Sequence, residues 1–233
     1  MALDLRSFTP ARVGLGRTGH SLPTAELLRF QLDHARARDA VYEELDPMAL
    51  GLPHILLRSE AADRGTYLRR PDRGRALSTE SRARLEKGSY DGAIAVVDGL
   101  SARAVHHHAA PLLQELLPRL AAEDWRMAPL TVVFGGRVAI GDEIGQRLGA
   151  RLVAVLIGER PGLSSPDSLG VYLTWDPHPG RADAERNCIS NIRTEGMSYR
   201  IAAHTLYFLM REARARKLTG VALKEDAPLL DPY

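Results

Sequence analysis

The sequence contains a single cysteine, Cys188, among 233 residues. One cysteine cannot build an internal disulfide framework, so a secreted disulfide scaffold is excluded and a reducing compartment is indicated. The longest apolar runs are about six residues, as at 152–157, whereas a membrane-spanning helix needs roughly 20. Asp4 and Arg6 lie in an N-terminal stretch that has no apolar core, so no secretory signal is expected. These features predict a cytoplasmic protein that does not enter a membrane.

An excess of charge of either sign is also missing. Lys and Arg number 31 and Asp and Glu number 29, so the formal net charge is +2, and the two signs are interleaved. A protein that binds nucleic acid usually shows a basic face or stripe, so nucleic acid is not an expected partner. The 45% hydrophobic and 26% charged residues are ordinary for a globular chain and argue against disorder.

Short apolar runs alternate with helical patterns in residues 91–233, a pattern typical of parallel strands joined by crossover helices. Pro111 and Pro118 interrupt the first helical pattern, and we expect a short helix there followed by a new start near Pro111. Nearly all residues of the first three apolar runs are apolar, which favours central strands buried on both faces. The predicted strands are 93–97, 130–134, 152–157 and 171–175, and the predicted helices are 101–122, 141–149 and 198–217.

Residues 1–90 are interpreted as an N-terminal arm followed by a mainly helical region. Apolar Leu28, Leu32 and Ala35 recur at helical spacing and predict a helix from Pro23 to about residue 44. Ser78 is placed to cap a second helix over 79–87, and the apolar run at 55–58 could be a strand. The chain is therefore expected to have a 1–90 region and a 91–233 domain.

Residues 14–19 fit the G-x-G-x-x-G pattern of dinucleotide-binding loops. That function requires a strand before the glycines and a helix directly after them. Only Arg12 and Val13 precede them here, and Pro23 follows, so the context is wrong. A flexible arm is favoured, while a stand-alone nucleotide-dependent oxidoreductase is kept as an alternative hypothesis.

His106, His107 and His108 suggest metal binding at first sight. Consecutive residues of a helix point about 100° apart, so the three cannot all face one ion. A zinc site would use a spacing of three or four and further ligands. We expect a partly solvated helix face and no metal site. Cys188 lies in a polar stretch between the last predicted strand and the last helix, which is interpreted as a loop.

Three loops follow the first three predicted strands directly: 98–101, 135–138 and 158–163. The carboxyl ends of parallel strands meet at one edge of a sheet, where open α/β sheets bind their ligands. The loops offer glycine backbone and the Glu159 carboxylate but few titrating bases, and no nucleophile triad, metalloprotease or phosphate-loop motif is present. This inventory suits holding a large, amide-rich ligand better than acid–base catalysis. The residues alone lead no further than an α/β ligand-binding chain.

Taken in order, several segments resemble the small (light) subunit of ethanolamine ammonia-lyase over about residues 10–225. Any one segment is weak evidence, but the ordered series is highly specific. The segments are 11–17 (ARVGLGR), 31–41 (QLDHARARDAV), 67–72 (YLRRPD), 98–102 (DGLSA), 136–138 (GRV), 141–145 (GDEIG), 157–163 (IGERPGL) and 188–192 (CISNI).

The resemblance implies an adenosylcobalamin-dependent enzyme that converts ethanolamine to acetaldehyde and ammonia by radical chemistry. It implies that a barrel-shaped large subunit holds the substrate, and that this chain supplies no catalytic residue. Residues 91–233 would form a Rossmann-like, mostly parallel sheet with flanking helices that covers part of the cobalamin at the subunit interface. The family's cobalamin-contacting positions match Val138, Glu159 and Cys188.

The resemblance also implies a complex of six large and six small subunits. Some family members carry a longer N-terminal extension associated with bacterial microcompartments. Because about ten residues precede the shared 11–17 segment, free cytoplasm is expected, with the microcompartment as the alternative. A non-catalytic scaffold that binds a partner but no cobalamin is the third hypothesis.

Overall fold

The computed structural model describes residues 5–9, 13–16 and 19–227. Helices and strands alternate along most of this part of the chain, as the sequence pattern predicts. The helices are α1 (Thr24–Tyr42), α2 (Arg64–Arg69), α3 (Thr79–Ala83), α4 (Ala102–Ala121), α5 (Ile140–Leu148) and α6 (Tyr199–Arg216). The strands are β1 (Ile55–Arg58), β2 (Tyr90–Val97), β3 (Thr131–Phe134), β4 (Ala150–Gly158), β5 (Leu169–Trp175) and β6 (Arg186–Ile192).

The six strands form one sheet in the order β1-β3-β2-β4-β5-β6. The first four strands of that order, β1, β3, β2 and β4, pair in parallel. Strand β5 pairs antiparallel with β4 on one side and with β6 on the other. A mostly parallel α/β sheet with flanking helices is thereby confirmed. The antiparallel step follows from the short connection 159–168, which contains no crossover helix and can only return the chain beside β4.

Strand β6 corrects the sequence analysis, which placed Cys188 in a loop. Residues 186–192 pair with β5, and they were missed because an edge strand need not be apolar. Its buried positions, Arg186, Ile189 and Ile192, are separated by half-buried or exposed polar ones. That pattern lacks the continuous apolar run that identified the central strands.

Two apolar layers cover the two faces of the sheet. On one face, α4 and α6 pack over residues such as Val96, Leu152 and Leu156. On the other face, α5 packs over neighbours such as Val97 and Val153. Successive strand residues point to opposite faces, so the nearly continuous apolar sequence of β2 and β4 supplies both layers.

The predicted break at Pro111 is wrong, because α4 runs without interruption from Ala102 to Ala121. A helix-interior proline costs roughly 3 kcal/mol through a lost hydrogen bond and a steric clash. Buried side chains precede and follow Pro111 on the face that packs against the sheet and α6, including Val105, Leu113 and Leu116. Burying such side chains contributes roughly 1.5–3 kcal/mol each, which offsets the proline cost.

The region before residue 90 contains α1, which extends over Thr24–Tyr42 rather than to residue 44, and α3, which ends at Ala83 rather than at 87. Ser78 caps α3 as predicted, since its hydroxyl accepts the Ser81 N–H at 3.2 Å. Strand β1 pairs with β3, so this region also supplies one edge of the sheet. The division at residue 90 stays a prediction. Among the described residues, no helix is both long and apolar enough to span a bilayer.

Candidate functional site

Two of the three site residues predicted from the sequence lie around Tyr172 of β5. Val155, Tyr172 and Cys188 are direct cross-strand neighbours on β4, β5 and β6. Residues that stand opposite each other on neighbouring strands project from the same face of the sheet. Tyr172 packs against the apolar layer that includes α5, which identifies the face as the α5 side.

A buried ion pair fixes β6 against α5 on this face. Arg186 lies two residues before Cys188 and therefore projects from the same side. Its guanidinium donates to both carboxylate oxygens of Asp142 in α5, at 2.6 and 2.7 Å, and also to the Thr174 hydroxyl at 2.8 Å. Both side chains are almost fully buried, at 2% and 1% exposed. The pair holds the strand that carries Cys188 at a set position relative to the start of α5.

Glu159 is the first residue after β4, and its side chain lies over β5. The Ser168 hydroxyl donates to its Oε2, and the Asn191 N–H reaches the same oxygen at 3.4 Å. A side chain at Gly170 would place its Cβ 2.7 Å from Glu159 Oε1, so glycine is needed for the carboxylate to lie there. Within the described part of the chain, Oε1 accepts no hydrogen bond and is left for an outside donor.

Cys188 is exposed, but its thiol is not activated. Burial of its surroundings raises the thiol pKa, and the negative charge of Glu159 raises it further, although a hydrogen bond with Tyr172 opposes both effects. Burial also raises the pKa of Tyr172, with Cys188 and Glu159 adding to the shift, so the phenol stays protonated. A thiol with a raised pKa is a weak nucleophile at neutral pH. This surface therefore offers contact rather than covalent catalysis.

Val138 lies half-buried in the loop between β3 and α5, two residues before α5 begins. It packs against the same apolar cluster as Tyr172. Val138, Glu159 and Cys188 thus belong to one side of the sheet, with Val138 next to α5, Glu159 at the end of β4 and Cys188 on the edge strand. Tyr172, which links Glu159 and Cys188, was not singled out from the sequence. Its position in a predicted strand was the only signal.

The glycine pair before Val138 serves the fold rather than an approaching ligand. Gly135 has φ +66°, and a Cβ at Gly136 would lie 2.6 Å from a methyl of Val97. Asp98 accepts the Gly135 N–H at 2.9 Å and the Gly136 N–H at 3.3 Å. Burial raises the pKa of the Asp98 carboxyl, while the hydrogen bonds from Gly135 and the charge of Arg64 act to lower it. Ser101 caps α4, since its hydroxyl accepts the Ala104 N–H at 3.3 Å.

The crevice where dinucleotides bind in related sheets is closed. That crevice lies where the strand order reverses, between the carboxyl ends of β2 and β4. Here the Leu100 N–H donates to the Gly158 carbonyl at 2.9 Å, and a Cβ on Gly158 would collide with the Ser101 carbonyl. Gly14 and Gly16 lie in irregular chain, and α1 starts only at Thr24. Among the described residues no strand precedes these glycines, so they lack the strand–glycine–helix geometry of a nucleotide site, while the β2–α4 turn has that geometry but is closed.

A cavity of about 480 Å³ lies at the carboxyl ends of β1, β3 and β2. Arg64, Tyr67, Asp98 and Gly135 are among the residues that line it. Tyr67 is 1% exposed, and its hydroxyl has no hydrogen-bond partner among the described residues. No sequence pattern indicates this cavity, because three separate segments have to fold together to form it.

The fold and this surface define a Rossmann-like α/β chain with three features on one side of its sheet: a carboxylate oxygen that accepts no hydrogen bond from the described residues, a neutral thiol and a half-buried valine. Residues 1–224 match the family described as ethanolamine ammonia-lyase light chain (EutC). The chain belongs to that family, as the resemblance of its ordered segments predicts.

Similar proteins carry the name ethanolamine ammonia-lyase small subunit. The Azotobacter vinelandii protein is 58% identical over 96% of this chain and 88% of its own length. The Xanthomonas campestris pv. campestris protein is 56% identical over 97% of this chain and 89% of its own length. The Pseudomonas syringae pv. tomato protein is 54% identical over 97% of this chain and 84% of its own length. Membership of this family makes the chain a component of a carbon–nitrogen lyase.

Proposed function

We propose that the chain is the small subunit of an adenosylcobalamin-dependent ethanolamine ammonia-lyase and covers part of the cobalamin at the interface with the large subunit. The large subunit would hold the substrate and convert ethanolamine to acetaldehyde and ammonia. The observation that carries the proposal is the grouping of Glu159 and Cys188 around Tyr172, on the side of the sheet where Val138 packs.

The chemistry of these residues fits a corrin ring and its amide side chains. Oε1 of Glu159 can accept an amide N–H, and hydrogen bonds to an ionised acceptor are the stronger kind. Val138 offers half-buried apolar surface, and the Cys188 thiol offers a small, polarisable contact. With its raised pKa the thiol keeps its proton, so we do not expect it to ligate cobalt.

When bound, adenosylcobalamin supplies the radical chemistry through its cobalt–carbon bond. The residues of this chain contribute orientation and shielding. Glu159 is held over β5 by Ser168, so its carboxylate is fixed before any ligand arrives. A surface of this kind pressed against a second subunit excludes water from a reactive site.

We propose α1 as a contact surface for the large subunit. Its side chains Leu27, Leu28, Phe30 and Leu32 are 42%, 59%, 41% and 50% exposed, and Ala40 is its buried residue. Helices in proteins gain most of their stability from packing one face against a neighbour. An exposed apolar helix in a chain whose relatives are named as subunits is best explained by a partner that covers it.

The six-plus-six assembly and the cytoplasmic location, with the microcompartment as the alternative, remain proposals. Native mass spectrometry of the co-expressed subunits gives the stoichiometry directly. Cell fractionation decides between the two locations.

Glu159→Gln in the reconstituted complex tests the assigned contact. The amide keeps the shape but removes the charge, and hydrogen bonds to charged groups contribute about 1.5–3 kcal/mol against about 1 kcal/mol for neutral ones. We expect adenosylcobalamin to bind roughly tenfold more weakly, measured by the cofactor concentration at half-maximal activity. Glu86→Gln, an exposed carboxylate distant in sequence, is the matched control. Equal cofactor affinity in all three proteins would remove Glu159 from the site.

A further inference from the structure

The three consecutive histidines of α4 point to two different places. The His106 Nε2 accepts the Asp46 N–H at 2.8 Å, and its Nδ1 lies 3.1 Å from a Glu43 carboxylate oxygen. His106 therefore ties α4 to the chain that follows α1. His107 and His108 turn instead to Asp167, which comes from the 159–168 connection between β4 and β5.

The ligand-type atoms of these last two histidines and Asp167 are close together. The Asp167 Oδ2 lies 3.3 Å from His108 Nε2 and 3.7 Å from His107 Nδ1, and all the ligand atoms lie within 4.8 Å of one another. A tetrahedral Zn²⁺ with Zn–N and Zn–O bonds of about 2.0–2.2 Å separates its ligands by roughly 3.3–3.6 Å. The two short separations are already close to the edges of such a tetrahedron.

The surroundings of His108 are those of a metal-ligating histidine. The ring is 2% exposed, and its Nδ1 lies 2.8 Å from the Tyr199 hydroxyl. Ligating histidines generally use their second nitrogen for such an outer hydrogen bond, which sets the ring orientation.

We propose that His107, His108 and Asp167 form a binding site for a Zn²⁺-class divalent cation, with water completing the coordination. Two imidazole nitrogens and one carboxylate oxygen are a ligand set that zinc accepts. His107 is 57% exposed, so an ion can reach the site from solvent. The three histidines alone predict no metal site, because they cannot all face one ion, and the sequence does not reveal that Asp167, 59 residues beyond His108, lies beside two of them.

The bound ion would join α4 to the connection that leads to the Glu159 contact. Pro166 already accepts the Ser101 hydroxyl at 2.9 Å, and Ser168 donates to Glu159. Asp167 lies between these two anchors. The site stands independently of the proposed cobalamin contact, since it uses none of Val138, Glu159 or Cys188.

Calorimetric titration of the full chain with Zn²⁺ tests the site. We expect one Zn²⁺ per chain in the unaltered protein, and affinity at least tenfold weaker in His107→Ala and in Asp167→Asn. His34→Ala, an exposed helical histidine on α1, is the matched control and should keep the affinity. Circular dichroism checks that each variant folds, and His108 is not replaced because it is buried.

Two results overturn the proposal. The first is no Zn²⁺ binding by the folded, unaltered chain up to millimolar concentration, which assigns the His108 Nε2–H to an ordinary hydrogen bond with Asp167. The second is equal affinity in the unaltered protein and all three variants, which assigns binding to dispersed surface groups such as Cys188. Titration with Co²⁺ adds a spectroscopic readout: intense visible absorption in the control, lost in both site variants.

Discussion

At the scale of single residues, the position of the Glu159 carboxylate depends on the absence of a side chain at Gly170. Gly170 has no side chain, so the carboxylate can lie over β5 and reach Ser168. Glu159 could be identified from sequence because a charge directly after a buried run of β4 must lie at the rim of the sheet. Its partners could not, because Ser168 and Asn191 come from the next connection and from the edge strand.

Cys188 gives a pH-dependent prediction at this scale. Burial and the Glu159 charge raise the thiol pKa, and for an acid this means less thiolate at any pH near neutrality. Glu159→Gln removes the negative charge, so the pKa should fall and the alkylation rate at pH 7–8 should rise. The rate profile with iodoacetamide, fitted for the thiol pKa, measures this, with Glu86→Gln as control. A profile unchanged by Glu159→Gln would show that the two side chains do not interact.

At the scale of elements, the sequence predicts the central strands well and the edge strand poorly. Strands β2, β3 and β4 are recognisable because burial on both faces requires a continuous apolar run. Strand β6 is buried only at every third position, one of them an arginine, so its sequence has no such run. Helix α4 shows the opposite error, since tertiary packing keeps Pro111 within a continuous helix.

The Asp142–Arg186 pair is the element-scale contact that positions β6, and its removal should be costly. Asp142→Ala removes the buried counter-charge of the Arg186 guanidinium and leaves only Asp183, 3.6 Å away and 92% exposed. Loss of a buried partner typically destabilises a protein by about 3–5 kcal/mol. Replacing both partners, as Asp142→Leu with Arg186→Met, leaves no buried charge and should recover most of the loss. Urea unfolding of the three proteins measures the free energies. A single variant that loses under about 1 kcal/mol would contradict a structural role for the pair.

Helix α1 carries the prediction about the partner. Leu28→Asp with Leu32→Asp places two charges on its exposed apolar surface, so the isolated chain should stay folded while its affinity for the large subunit falls at least tenfold. Ser89→Asp adds a negative charge at an exposed position outside α1 and is the control. Biolayer interferometry against the large subunit compares the three. Unchanged binding by the double variant would place the interface elsewhere.

At the scale of the whole molecule, the fold keeps a Rossmann-like sheet but closes its usual nucleotide crevice. Leu100 and Gly158 join the two loops that would have to part for a dinucleotide. The polar groups proposed for ligand contact lie instead toward the antiparallel side of the sheet, near β5 and β6. These groups lie there because the short 159–168 connection returns the chain beside β4. The antiparallel strands β5 and β6 that follow it carry Tyr172 and Cys188.

The most direct test is a cryo-electron microscopy structure of the complex of this chain with its large subunit and adenosylcobalamin. We predict corrin density within hydrogen-bond or van der Waals distance of Val138, Glu159 and Cys188, with an amide side chain at Glu159 Oε1. Cobalamin bound elsewhere, with these three residues in solvent or against protein alone, would contradict the account and favour a scaffold role.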